Sequence, residues 1–254
     1  MDSLSQIDGI PVVARTDALD GRAPAIIVIH GMNTTAASMR AGWPDDEQAD
    51  EQFHLCRIYW QVPILRGGRE DLARRRQGDL FRELFWPVVS TARAELERLV
   101  NAVHERTRRP VGLFGFSIGG LISLWGAVDN RPVHAAVAVG GVPHLDYLLH
   151  FYPDYDWNQE DVVAQRASVD LTAHPDALKD KATLILHGLA DDQARWDWME
   201  SFARAMAARN PGDHEYETFA NVQHRLQGQT PQEEAELVAL RARASRFLAE
   251  RLAL

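Results

Sequence analysis

"VGLFGFSIGGLISLWGAV", Val111 to Val128, sets a short apolar run against one of helical character, with Gly115, Ser117, Gly119 and Gly120 between them. Val111 to Phe116 has no polar face, the pattern of a strand covered on both sides. The glycines flanking Ser117 let the chain turn sharply while the serine takes a strained conformation, which is what G-x-S-x-G requires between a strand and a helix. Its hydroxyl is then left above the sheet at a helix N-terminus, where the Ile118 amide and the positive end of the helix would meet a developing oxyanion.

Outward from this turn, further runs have strand character: Ala25 to His30, His54 to Tyr59, His134 to Val139 and Ala182 to His187. "HEYETFA" from His214 alternates polar and apolar residues, as a strand nearer the sheet edge does, and "IPVVART" near the start adds another. Helical stretches lie between them. "FRELFWPVVSTARAELERLVNAVHERT" is helical for most of its length, with Pro87 as a start or kink, and the last helix opens on Thr230, Pro231 and Glu233, an N-cap, a first-turn proline and a capping-box acid. The alternation predicts an α/β fold with a mostly parallel sheet and helices on both faces. Glycines follow the strands in "HG" at His30, "FGFSIGG", "AVGGV" and "HG" at His187, so tight turns gather at the carboxyl edge, where open α/β sheets place ligands.

A serine hydroxyl is a weak nucleophile near neutral pH and needs a base and a group to orient that base. "LHGLADDQ" offers Asp191 and Asp192 just past a buried strand, although an acidic turn capping the next helix would look the same. Of ten histidines, His30 and His187 sit at strand-to-glycine junctions, His54, His134 and His214 begin strands, and His104 lies in a helix. His224, in "ANVQHRLQG" between the last strand and the last helix, is placed to lean over the sheet toward Ser117.

Composition removes other classes. At 254 residues the chain has material for one large core, and 46% hydrophobic with 25% charged residues is a globular profile. A net charge of −9 argues against a nucleic-acid or anionic-membrane partner. The one basic cluster, Arg66 to Arg76, is mixed with acids and reads as a solvated face with no assigned chemistry. Cys56, the single cysteine, lies in "FHLCRIYW" and reads as a small buried side chain. With no secretory leader pattern and no apolar stretch of spanning length, the expected location is the cytoplasm.

Gly115-Phe116-Ser117-Ile118-Gly119, "HGMN", "HGLADD" and "NVQH" together resemble the α/β-hydrolase superfamily, in particular bacterial carboxylesterases and their dienelactone hydrolase and prolyl-oligopeptidase-like relatives. The resemblance runs from about Ala25 to the end. It implies one domain over 1–254 with a cap insertion at about 142–178, Ser117 as nucleophile and His224 as base. The H-G-x-x-D phrase selects Asp191 over Asp192, and the residue after the first HG, Met32, joins Ile118 as an oxyanion donor. No cofactor or metal is implied, and "HGMN" lacks the glycine run of the HGGG-type esterases.

The expected activity is cleavage of small to medium carboxylic esters, with a small-molecule ester as partner. Tyr147, Phe151, Tyr152, Trp157 and Trp196 are candidates for the pocket, beside Tyr155 and Trp198, with core packing as the alternative. His144, Asp146 and His150 lack a third strong ligand for a metal. Two alternatives stand beside it. A peptidase of the prolyl-oligopeptidase type would hold a peptide amino terminus on Asp154, Asp156, Glu160 or Asp161, and a non-catalytic binding module would show a missing or misplaced triad member.

Overall fold

Alternation along the central strands settles which side chains face which helices. In the computed structural model, which describes residues 5–14, 19–42, 46–210 and 213–253, β3 (Ala25–Ile29) is buried along its whole length. Ile27 and Ile29 pack into one core layer, Ile26 and Val28 into the other, as the period of two dictates. The remaining strands are β1 (Ser5–Ile7), β2 (Ile10–Ala14), β4 (Cys56–Trp60), β5 (Val111–Phe116), β6 (Val133–Val139), β7 (Ala182–Gly188) and β8 (His214–Phe219).

They form one sheet in the order β1-β2-β4-β3-β5-β6-β7-β8, parallel from β4 through β8, with β1 and β2 added antiparallel at one edge. Register aligns the carboxyl ends: Ile29 pairs with Gly115, Phe116 with Val139, and Val139 with Leu186. The loops that follow therefore leave the sheet at one level.

One face is covered by α4 (Trp86–Thr107), α5 (Ile118–Asp129) and α8 (Trp196–Arg209), the other by α9 (Pro231–Leu252) with α1 (Ala36–Gly42) and α2 (Asp46–Phe53). Val88, Val89, Ala92, Leu96, Leu99, Val100 and Val103 give α4 its buried stripe. Each fully buried Leu or Val there contributes about 1.5–3 kcal/mol of transfer free energy. On the opposite face Leu237, Leu240, Phe247 and Leu248 of α9 do the same.

Several boundaries differ from expectation. His54 has φ 53° and ends the turn after α2, so β4 starts only at Cys56. β1 lacks any signal of its own in the sequence, and Arg15 and Thr16 of "IPVVART" lie outside the described residues. The long helical stretch begins as a π-helical turn, Leu80–Phe85, before α4. Pro87 has no N–H for the Glu83 carbonyl, and Arg75 Nη1 donates to that oxygen instead at 3.0 Å. Cys56 is buried, as expected.

Between β6 and β7 run two short helices, α6 (Tyr147–Phe151) and α7 (Glu160–Ala167), and two 3-10 turns. The basic cluster forms α3 (Gly68–Gln77), which has no buried residue. Among the described residues no helix is long and apolar enough to cross a membrane.

Candidate active site

β5 ends on Phe116, and Ser117 follows at φ 57°, ψ −125°, a conformation that costs an L residue about 1–3 kcal/mol. Gly115 and Gly119 make the turn feasible. A side chain on Gly115 would fall 1.9 Å from the Gly119 carbonyl oxygen, and one on Gly119 would fall 2.4 Å from that of Ile29. The Ser117 amide donates to Val139 O at 2.9 Å, tying the turn to β6.

Above it the His224 ring lies with Nε2 2.8 Å from Ser117 Oγ and Nδ1 2.8 Å from Asp191 Oδ2. The other Asp191 oxygen accepts from the Gln193 and Ala194 amides at 2.9 and 2.8 Å, so the carboxylate, whose side chain is 1% exposed, is held from both sides. Asp192 is exposed. Phe116 supports the His224 ring from below, centroids 5.0 Å apart.

The oxyanion donors expected from the sequence, Met32 and Ile118, both line the cavity beside Ser117. Neither amide donates to an acceptor among the described residues. Gly31 brings the first of them close, since a side chain there would meet Ser117 Cβ at 3.1 Å. His30 fixes its direction. The Val62 amide donates to His30 Nε2 at 3.2 Å, so Nδ1 carries the proton and donates to Gly31 O at 2.8 Å. That carbonyl and the Met32 N–H belong to one planar trans peptide and point opposite ways, so clamping the oxygen aims the N–H. Burial lowers the His30 pKa to about 4 against the opposing pull of the Gly31 hydrogen bond, which keeps the ring neutral.

The second HG phrase is built the same way for a different loop. His187 is fully buried, held below its ordinary pKa chiefly by burial, and its Nε2 donates to Ala194 O at 2.7 Å, pinning the turn whose amides hold Asp191. Gly188 lets the His224 loop cross: a side chain there would sit 1.9 Å from Val222 O.

Glu233 is a residue whose part the sequence hides. Thr230 Oγ1 does accept from the Glu233 amide at 3.2 Å, as an N-cap should. The Glu233 carboxylate, however, turns to the His224 loop, accepting from the Gln223 and Gln229 amides at 3.2 and 2.8 Å. Its capping-box spacing conceals this bracing role.

A cavity of about 740 Å³ opens over Ser117. Tyr147, Phe151 and Tyr152 line it, joined by Phe85 from the π-helical turn, which packs on Tyr147 and Tyr152. Trp157 and Trp196 are not part of the lining. Trp157 is buried edge-on against Phe81 and donates to Tyr152 O at 2.8 Å, while Trp196 begins α8 and its carbonyl accepts from Tyr216 Oη. Tyr155 donates to Asp79 Oδ1 at 2.7 Å, and Trp198 packs at a tilt against His144. Asp146 pairs with Arg166, and among the described residues no three His, Cys, Asp or Glu side chains group as metal ligands.

A mostly parallel sheet with a strained serine elbow at its carboxyl edge defines an α/β hydrolase. Within that class the chain belongs to the prolyl oligopeptidase family, whose model matches residues 100–252. Solved structures share the fold at low identity. TT1662 from Thermus thermophilus superposes with a TM-score of 0.71 at 18% identity, covering 99% of this chain and 98% of its own. The esterase Pf2001 from Pyrococcus furiosus gives 0.62 at 12% identity, covering 96% and 89%. A dienelactone hydrolase from Anabaena variabilis gives 0.61 at 16% identity, covering 99% and 97%. No curated protein sequence matches the chain.

Proposed function

We propose that this hydrolase cleaves carboxylic esters of small to medium acyl groups through an acyl-enzyme on Ser117. The observation that carries the reading is the unbroken hydrogen-bonded chain Ser117, His224, Asp191, opening into a cavity lined by no Asp or Glu among the described residues. His224 Nε2 takes the Ser117 proton as Oγ attacks the ester carbonyl, and Asp191 keeps the Nδ1 proton facing itself and stabilises the imidazolium. The Met32 and Ile118 amides hold the oxyanion. Collapse breaks the bond to the alcohol oxygen, which takes the proton from His224. Water then gives its proton to His224, attacks the acyl carbon and returns Ser117 Oγ with a proton. In this reading 142–178 is the cap of a single domain and supplies the hydrocarbon-binding wall.

Family membership favours a second reading, a peptidase, which needs carboxylates in the cavity for a peptide amine. Asp154, Asp156, Glu160 and Asp161 do not line it, and Asp161 is engaged by Arg82. The intact Ser, His and Asp geometry argues against a binding module, which predicts a displaced member. The test is turnover of p-nitrophenyl esters of increasing chain length beside aminoacyl-proline amides. Ester cleavage lost in Ser117→Ala supports the proposal, whereas cleavage surviving that change, or amide cleavage that exceeds ester cleavage, overturns it.

A further inference from the structure

We propose that the ester this site takes carries a carboxylate, received by the Arg76 guanidinium at the end of α3; the inference rests on the hydrolase reading above. Over the whole chain 36 acids outnumber 27 Lys and Arg, yet the described cavity lining holds Arg76 and Arg225 and no carboxylate side chain. Among the described residues the charge of the lining is the reverse of the molecule's, as suits an anionic ligand.

Neighbouring cations show which charge is free for a ligand. Arg66 pairs with Glu95, and Arg74 and Arg75 both pair with Asp71. Arg76 has a neutral partner: its Nη2 donates to Asn33 Oδ1 at 2.9 Å. That bond uses one of five guanidinium N–H groups and anchors the head beside the residue that follows Met32. The basic cluster thus sends one side chain to the site while Arg66, Arg74 and Arg75 are held by acids.

Arg225, next to His224, adds donors rather than net charge. Its Nε lies 3.4 Å from Glu233 Oε1, its Nη2 donates to Gln223 Oε1, and its buried Nη1 has no hydrogen-bond partner among the described residues. One uncompensated guanidinium suits a singly charged carboxylate better than a phosphate monoester, which carries nearly two charges at pH 7. Tyr147, Leu148 and Phe151 in the same lining take hydrocarbon. An acid ester, part apolar chain and part carboxylate, satisfies both kinds of wall.

The test compares kcat/KM for the p-nitrophenyl monoester of glutarate with that for p-nitrophenyl pentanoate, of equal chain length and no charge. The expected charged-to-neutral ratio is above one, falling about tenfold in Arg76→Met through KM, as the loss of a charge-assisted hydrogen bond requires. Arg76→Lys should restore part of the ratio, and 0.5 M salt should compress it in the wild type. Arg74→Met, on the same helix but outside the lining, should leave it unchanged. A wild-type ratio of one or less, or a ratio indifferent to Arg76→Met, overturns the proposal. If neither ester is cleaved, the ester reading falls separately, and titration calorimetry with glutarate and with inorganic phosphate decides the anion site. Glutarate binding weakened about tenfold by Arg76→Met sustains it, and phosphate preference or Arg76-independent binding ends it.

Discussion

Replacing Asp191 by Asn changes one atom in a carboxylate whose two oxygens have different duties, and the geometry says how the amide must sit. Oδ1 accepts from the Gln193 and Ala194 amides, while Oδ2 faces His224 Nδ1. In Asp191→Asn the remaining oxygen stays with the two backbone donors, which leaves the NH2 pointing at Nδ1. That nitrogen must then accept, so the ring proton moves to Nε2 and faces Ser117 Oγ, where a proton acceptor is needed. Rotating the amide to restore the tautomer would set the NH2 against two backbone N–H groups, one buried and one part-buried, each unsatisfied donor costing about 1–3 kcal/mol. The productive orientation is therefore disfavoured by about 2–6 kcal/mol, and kcat should fall about 30- to 10⁴-fold at nearly unchanged KM. Asp192→Asn, at an exposed position, should stay within about twofold of wild type. Steady-state ester kinetics on both variants, with thermal unfolding to confirm folding, decides the matter. Wild-type kcat in Asp191→Asn, or an equal loss in Asp192→Asn, would refute the reasoning.

Other outcomes follow from the same geometry. Since His30 stays neutral in the fold down to about pH 4 while the unfolded chain protonates it near 6.5, its contribution is whole above 6.5 and lost as pH falls toward 4. By pH 4.5 that loss is about 3 kcal/mol, so urea unfolding should show the wild-type advantage over His30→Gln narrowing by that amount from pH 7.5; a constant gap would contradict it. Ser117→Gly should be more stable than Ser117→Ala by about 1 kcal/mol, because glycine relieves the positive φ that alanine retains, and equal melting temperatures would speak against strain at the elbow. Gly188→Ala must push the Val222 backbone and with it the His224 loop, so kcat should drop by about 10²-fold or more, and unaltered kinetics would show that the loop is not positioned by this contact.

What the sequence made legible is what local chemistry writes locally. β5 keeps the limits read from its apolar run, Val111 to Phe116, and the strand ends marked by glycine do lie along one edge. Ser117, Asp191 and His224, chosen by motif and order, are joined by hydrogen bonds. Features that depend on distant partners were hidden. Nothing in "DLFRELFWP" announces that Arg75 will satisfy the carbonyl Pro87 leaves open, nor that the resulting π-helical turn delivers Phe85 to the cavity. Aromatic residues of the 142–178 segment look alike in sequence, and whether a ring lines or packs was decided by Phe81, which claims Trp157. Charge patterning along α3 could not single out Arg76, because its distinction lies in a contact with Asn33, far along the chain.

The strand order carries one more consequence. With β3 on one flank of β5 and β7 and β8 on the other, the groups around Ser117 arrive from two separate stretches of chain. Asp191 and His224 come late in the chain, whereas Met32, Asn33 and Arg76 come early. The proposed anion contact and the Asp191–His224 pair are thus encoded far apart in the chain. If Arg76 receives the ligand's carboxylate as proposed, exchanging α3 changes which charge the cavity accepts without replacing a residue of the Ser117, His224 and Asp191 relay.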